Sequence, residues 1–270
     1  MELLNKDISS LSYKDIKVYV DKIKIDKEFN KEELLKVIEV LKADRRKNVI
    51  SLGEKLKKNR DKYKKEITRV KNMYDFDKSF GNYKYIAGVD EVGRGPLAGP
   101  IVACAVILDE DILDDELILG LNDSKKLSEK RREELAVLIK EKALAYKIAE
   151  CSNEEIDRDG IAYCNNKVFL DSCNNLSVKP DLVLSDGYLV KNIKFENKFV
   201  IKGDTKSACI AAASIIAKVY RDNLMKEYAK KYTNYNFEDN AGYGTTKHLE
   251  GLKEYGPCEI HRRSFLTKIL

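Results

Sequence analysis

Four acidic residues stand at the ends of three β-rich runs of the sequence. The runs and the acids that end them are 83–89 with Asp90 and Glu91, 180–187 with Asp186, and 198–204 with Asp204. Carboxylates that converge at neighbouring strand ends cannot all stay ionised without a cation. Because hard oxygen ligands suit Mg²⁺ or Mn²⁺, these four acids predict a divalent-metal site.

Each acid also has an ordinary structural interpretation. Asp90 and Glu91 suit a solvated strand end, Asp186 with Gly187 suits a turn, and Asp204 suits the cap of a following helix. Their shared position at strand ends favours the metal site over three separate coincidences. The chain has only two histidines, His248 and His261, and no Ser-His-Asp or Cys-His set. The site therefore favours metal-assisted phosphoryl chemistry over acyl transfer.

A glycine-flanked arginine follows the first two acids, in Gly93-Arg94-Gly95, called here the G-R-G loop. Glycines let backbone groups approach a ligand closely, and an arginine can bind a phosphate with two hydrogen bonds. The alternative is a flexible turn into the next strand. Pro96 and Pro100 stiffen the segment after the loop and make that alternative weaker.

The pattern along the chain predicts an α/β sandwich around a mixed sheet. We predict strands over 83–89, 101–108, 143–150, 180–187 and 198–204, and helices over 11–28, 31–72, 128–140, 153–173 and 205–232. The periodicity breaks around 73–83, so we expect a helical N-terminal extension over 1–72 and a catalytic domain over 83–270 with a helical C-terminal part.

Charge is distributed unevenly, although the net charge is only +5. Residues 42–71 contain 13 basic and four acidic side chains. This segment predicts a polyanionic partner, with a solvated helix face as the alternative.

The remaining composition favours a protein of the cytoplasm. The six cysteines are widely spaced without a C-x-x-C pair, which suits reduced, buried thiols better than disulfides or zinc ligands. No apolar run approaches the roughly 20 residues that span a bilayer, and the N-terminus has no secretory pattern. We expect no membrane partner.

Six long motifs resemble those of bacterial ribonuclease HII, in the same order and at similar spacing over residues 83–265. They are AGVDEVGRGPLAGP, GLNDSKKLSEKRREEL, LVLSDG, IKGDTKSACIAAASIIAKVYRD, GYGTTKHLEGL and YGPCEIHRRSF. More loosely, LSYKDIKVYV and ADRRKNVISL resemble the N-terminal extension of some members.

The resemblance implies a ribonuclease H-like fold, with a mixed five-stranded sheet flanked by helices. It implies an endonuclease that cuts the RNA strand of RNA–DNA hybrids and nicks DNA 5′ of an embedded ribonucleotide, leaving 3′-hydroxyl and 5′-phosphate ends. The implied cofactor is Mg²⁺ or Mn²⁺, and we expect a monomer.

By the same resemblance, the metal ligands and catalytic residues are Asp90, Glu91, Asp186 and Asp204. The G-R-G loop would read the ribose 2′-hydroxyl, and Tyr243 would stack on the sugar after the RNA-to-DNA junction. Expected phosphate contacts are the loop 123–126, with Ser124 and Lys125, and the pair Lys206 and Ser207. A solvated loop is the alternative for these contacts.

Two other functions stay open. A ribonuclease HIII-type enzyme shares the fold, but usually has G-T-G at the G-R-G loop and a sheet-bearing N-terminal domain. A non-catalytic nucleic-acid-binding protein is the second alternative, although a pure binder gains nothing from four acids that face phosphate.

Overall fold

The computed structural model describes residues 2–114, 116–267 and 269 of the 270-residue chain. It divides into two compact units, Met1–Arg69 and Val70–Leu270. The helices that begin in the first unit are α1 (Tyr13–Asp21), α2 (Ile25–Glu28), α3 (Glu32–Lys42) and α4 (Lys47–Lys78), with 3₁₀ turns at Glu2–Asn5 and Ile8–Ser10.

The first unit is helical as predicted, but the single helix predicted over 31–72 is wrong. α3 ends at Lys42 and α4 begins at Lys47. Asp44 accepts hydrogen bonds from the backbone N–H of Arg46 at 2.8 Å and from its Nε at 2.9 Å. The Arg46 guanidinium also donates to the carbonyls of Ile8 and Leu11. These contacts stabilise a turn that helix propensity alone does not indicate. The helix predicted over 11–28 is likewise divided, into α1 and α2.

The second unit is built around a five-stranded sheet in the order β3-β2-β1-β4-β5. The strands are β1 (Ile86–Val92), β2 (Ile101–Ile107), β3 (Ala145–Cys151), β4 (Leu182–Asp186) and β5 (Glu196–Val200). β1, β2 and β3 pair antiparallel, whereas β4 pairs parallel to both β1 and β5. The sheet is therefore mixed, which confirms the predicted fold class.

Helices cover both faces of this sheet. They are α5 (Glu129–Lys142), α6 (Asn153–Asp159), α7 (Ile161–Asn174), α8 (Ala208–Lys231), α9 (Phe237–Asn240), α10 (Thr246–Tyr255) and α11 (Arg263–Leu266). α7 packs on one face through Val168 and Phe169. α8 packs on the other so closely that a Cβ on Gly88 would lie 2.1 Å from the Cys209 carbonyl carbon. No described helix is both long and apolar enough to cross a membrane.

Two of the predicted strand ends are placed differently in the structure. Asp90 and Glu91 lie inside β1, because they pair with Cys104 and Ala103 of the antiparallel partner β2. β5 ends at Val200, and Asp204 lies in a 3₁₀ turn, Gly203–Thr205. α4 also continues through the predicted break at 73–83 as far as Lys78.

Candidate active site

Asp90 and Glu91 reach the site from opposite faces of the sheet, because successive residues of a strand alternate. Asp90 is 6% exposed and accepts a hydrogen bond from Ser214 of α8. Glu91 accepts one from Tyr188, whose ring stacks on Phe169 of α7. Asp90 is therefore held by a residue of α8, and Glu91 by a tyrosine that packs on α7.

The other two acids are joined through the turn that precedes α8. Asp186 Oδ1 accepts the backbone N–H of Gly203 at 2.7 Å, which ties the end of β4 to the turn that carries Asp204. Asp204 does not cap α8: the N-cap is Ser207, whose hydroxyl accepts from Ile210 N at 3.1 Å. The structural interpretation of Asp204 as a helix cap is therefore wrong.

The negative charge of Asp186 acts on each of the other three acids. Burial raises the pKa of Asp90, and the negative charges of Glu91 and Asp186 raise it further. Burial also raises the pKa of Glu91, with Asp186 adding to it and Arg94 opposing it. The pKa of Asp204 is raised by burial, then by Asp123 and Asp186. A cation would relieve this repulsion.

The donor set fits hard divalent cations, since it consists of carboxylate oxygens. Within the described ranges, no three of the four acids place one ligand oxygen each within 4.8 Å of one another. Proteins usually hold Mg²⁺ through one or two carboxylates together with substrate phosphates, so this ion does not require three of the acids to converge.

Two buried arginines fix the G-R-G loop and the segment after it through carbonyl groups, and Arg262 is the one that contacts the loop itself. Arg262 donates to the carbonyls of Gly93 (2.6 Å), Arg94 (3.0 Å) and Gly99 (2.9 Å). Arg221 donates in the same way to Pro100, Ala98 and Ala241. Both side chains are fully buried. Because these bonds hold the carbonyl side of the segment, the opposite side of the loop is left to face a ligand.

The exposed side of the loop lies beside Tyr243. The backbone N–H groups of Arg94 and Gly95 make no hydrogen bond with any part of the chain that the structure describes. A Cβ on Gly95 would lie 3.8 Å from the Tyr243 ring, which is 42% exposed. Gly93 has a different role: its φ of +94° and the Arg221 Nε, 2.3 Å from where a Cβ would lie, both require glycine. The Arg94 guanidinium lies over the Tyr188 ring and 3.7 Å from Glu91.

The two histidines support Tyr243 and are not placed to act on a substrate. Cys258 N–H donates to His261 Nδ1 at 2.9 Å, so His261 Nε2 carries the proton and donates to His248 Nε2 at 2.9 Å. His248 Nδ1 then donates to the Tyr243 carbonyl at 2.9 Å. Burial lowers the pKa of both rings, that of His261 to about 4. Both are therefore neutral at pH 7.

The predicted phosphate contacts divide into two pairs. Lys125 and Lys206 are exposed. Ser124 and Ser207 are buried, so their hydroxyl groups do not face a ligand as the sequence suggested. Ser124 instead hydrogen-bonds Ser214 at 3.0 Å, and so supports the residue that holds Asp90.

Sequence reasoning missed the residues that position the site, namely Ser214, Tyr188, Arg221 and Arg262. Each lies within or beside a motif, but its type gives no sign that it is buried against an acid or a loop. For Arg221 and Arg262, burial without a carboxylate partner follows from the folded packing alone.

Comparison with known proteins gives the family. The sequence model described as "Ribonuclease HII" matches residues 87–268, and that described as "Ribonuclease HII N-terminal domain" matches residues 22–81. The chain belongs to the ribonuclease HII family. A ribonuclease HII of Clostridium beijerinckii is 66% identical over 266 residues, covering 98% of each chain. One from Clostridium perfringens is 62% identical over 267 residues, covering 99% of this chain and 97% of its own.

The fold agrees with this assignment. The ribonuclease H2 of Pyrococcus horikoshii superposes with a TM-score of 0.59 at 29% identity, covering 68% of this chain and 96% of its own. As a ribonuclease HII, the protein is a ribonuclease H endonuclease, a hydrolase of a family that depends on divalent metal ions and acts on RNA–DNA hybrids. This sets aside the ribonuclease HIII-type enzyme and the non-catalytic binder.

Proposed function

We propose that this ribonuclease HII cuts the RNA strand of hybrids and nicks duplex DNA 5′ of a single embedded ribonucleotide, with Mg²⁺ or Mn²⁺ held by the four acids. The proposal rests on the geometry of the site: Asp186 is bonded to the turn that carries Asp204, and Arg94 of the G-R-G loop, whose backbone N–H is free among the described residues, lies 3.7 Å from Glu91. The protein would act as a monomer in the cytoplasm, where its six free cysteines would stay reduced.

Asp90, Glu91, Asp186 and Asp204 would hold the divalent ion, which would supply an activated water and stabilisation of the leaving 3′-oxygen. The residues of the protein orient the carboxylates. Ser214 and Tyr188 hold Asp90 and Glu91 from the two faces of the sheet, and Gly203 N–H holds Asp186. Fixed carboxylates leave little reorganisation to be done when the phosphate arrives.

Substrate reading would take place next to the acids. The N–H groups of Arg94 and Gly95, unpaired among the described residues, would bind a ribose 2′-hydroxyl, the group that distinguishes RNA from DNA. The exposed Tyr243 ring would stack on the adjoining sugar. Lys125 and Lys206 would contact the flanking phosphates.

The test is a nicking assay on duplex DNA that contains one ribonucleotide, with and without Mg²⁺, repeated on an RNA–DNA hybrid. We expect a single metal-dependent nick 5′ of the ribonucleotide, with a 3′-hydroxyl end, and several cuts in the hybrid. An all-DNA duplex of the same sequence is the control. Equal cutting of that duplex would contradict the proposed ribose reading.

Gly95→Ala is expected to leave the fold intact but lower the rate of nicking about 10²-fold. The added methyl group meets no atom closer than 3.8 Å, yet it lies on the face that the ribose would approach. A displacement of about 1 Å at a reacting centre can have an effect of this size. Nicking rates and thermal unfolding of both proteins check it. Wild-type nicking by the variant would show that the loop does not contact the ribose.

Exposed lysines on α4 give the first unit a basic surface. Arg45 is exposed, but the other three arginines of the basic segment are engaged within the protein: Arg46 pairs with Asp44, Arg60 donates to the Phe29 carbonyl and Arg69 pairs with Glu66. By contrast, Lys57, Lys58, Lys62 and Lys65 are exposed and in no ion pair with the described residues. We propose that these four lysines contact the phosphate backbone of the substrate.

Replacing the four α4 lysines by glutamine should weaken hybrid binding without changing the turnover number. Each lysine that neutralises a phosphate adds roughly 0.9 to the slope of log affinity against log salt. Binding to an uncleavable hybrid across a salt series measures that slope. Glutamine at Lys14, Lys17, Lys24 and Lys27, exposed lysines of the same unit, is the matched control. Parallel lines for the two variants would exclude a specific contact by α4.

A further inference from the structure

A second cluster of metal-ligand side chains lies in the unit Val70–Leu270, apart from the four acids. It consists of Asp77 near the end of α4, Glu110 in the loop after β2, and Cys209 in the first turn of α8. One ligand atom of each residue lies within 4.8 Å of those of the other two. Nothing in the proposed cleavage reaction uses these three side chains.

Asp77 is fully buried, and only part of its carboxylate is engaged. Its Oδ2 accepts the Cys209 N–H at 3.0 Å, at the positive end of the α8 dipole. Its Oδ1 has no hydrogen-bond partner among the residues that the structure describes. Buried carboxylate oxygens are normally satisfied by a donor or a cation. This oxygen therefore points to a ligand.

Glu110 and Cys209 place two further ligand atoms close to the Asp77 carboxylate. The Cys209 thiol lies 3.3 Å from Glu110 Oε1 and 3.5 Å from the Ile86 carbonyl, while Glu110 Oε2 is buried without a described partner. Burial raises the pKa of Asp77 to about 7, against hydrogen bonds from Ser207, Ala208 and Cys209. Burial, followed by the charge of Asp77, raises the pKa of Glu110 to about 8. The facing cation is Lys78, which is 42% exposed and pairs with Asp111.

We propose that Asp77, Glu110 and Cys209 form a binding site for a zinc-type divalent cation. One thiolate and two carboxylates are ligands that Zn²⁺ accepts, whereas Mg²⁺ does not favour sulfur. Binding forms one S–Zn and two O–Zn bonds, and the protons of the thiol and of the protonated carboxyl groups pass to the solvent. Water would complete the tetrahedron.

The site joins three segments that are distant in sequence: the end of α4, the loop after β2 and the start of α8. The turn Gly203–Thr205, which carries Asp204, directly precedes α8. A cation bound by these three residues would therefore stabilise the start of α8 and the turn that carries Asp204. Because it includes sulfur, the site is chemically distinct from the all-oxygen active site.

The test uses the full chain, stripped with a chelator and titrated with Zn²⁺ in excess Mg²⁺. We expect one tightly bound Zn²⁺ per chain, proton release on binding, a higher unfolding temperature, and affinity that rises with pH through the pKa values of Asp77 and Glu110. Substitution with Co²⁺ should give a sulfur-to-cobalt charge-transfer absorption, which carboxylate ligands cannot produce.

Cys209→Ala and Glu110→Gln should each abolish the tight Zn²⁺ and the cobalt band. Cys173→Ala is the matched control, since Cys173 is equally buried but has no acid beside it. Glu110 lies in a loop, so its variant decides the matter if Cys209→Ala fails to fold. A wild-type chain without tight Zn²⁺, or a cobalt band that persists in Cys209→Ala, would overturn the site. Binding is measured here without cleavage, so the outcome is independent of the proposed activity.

Discussion

Replacing Asp90 by asparagine should reduce cleavage by roughly 10³-fold or more while leaving the fold intact. Asparagine keeps the shape of the side chain and can still accept from the backbone N–H of Glu91. It removes a charge that a divalent cation needs, and several kcal/mol of lost transition-state stabilisation correspond to that factor. The turnover number of Asp90→Asn at saturating Mg²⁺ measures the effect, and Asp186→Asn should behave in the same way.

Stability and binding should move in the opposite direction to cleavage. Burial, Glu91 and Asp186 all raise the pKa of Asp90, so removing its charge relieves repulsion and should raise the unfolding temperature. Binding of an uncleavable hybrid without metal should be retained or tighter, because an anion near phosphate is gone. Glu238→Gln, an exposed acid of the same unit, is the control. Normal turnover in Asp90→Asn would exclude it as a metal ligand.

The five strands could be predicted from the sequence, because β-branched and apolar runs mark them, although β5 spans Glu196–Val200 and not 198–204. The run 101–108 matches β2 (Ile101–Ile107) almost residue for residue, since every side chain of that strand is buried. The interruption at Asp44 was missed, because it depends on Arg46 reaching Leu11, 35 residues earlier in the chain. Local propensity carries no information about such a contact.

In the candidate site, too, residue types could be read from the sequence, whereas the burial of individual side chains could not. The acids were proposed from their types and their places at predicted strand ends, although Asp90 and Glu91 lie inside β1 and Asp204 lies in a turn beyond β5. The buried positions of Ser124 and Ser207 were not foreseen, because serine is as common in a ligand-binding loop as in a helix cap. Whether a polar side chain faces a ligand or the interior is decided by packing between distant segments.

Arg262→Lys should lower the rate of nicking about 10²-fold without removing the metal site. The planar guanidinium of Arg262 reaches three carbonyls at once, on Gly93, Arg94 and Gly99. A lysine keeps the charge but has one nitrogen in place of this rigid fork. The loop would then shift relative to the acids, and a displacement of about 1 Å is enough for this loss. Rates on duplexes with and without a ribonucleotide measure it.

The unfolding temperature and the Mn²⁺ affinity of Arg262→Lys distinguish a positioning role of Arg262 from a general loss of stability. Each buried carbonyl that loses its partner costs about 1–3 kcal/mol, so the variant should also unfold at a lower temperature. Mn²⁺ affinity, however, should stay unchanged, because Arg262 contacts none of the four acids through these bonds. Arg263→Lys, at the exposed neighbouring position, is the matched control and should nick normally. If Arg262→Lys nicks as fast as that control, Arg262 contributes only to packing, and the position of the G-R-G loop does not depend on it.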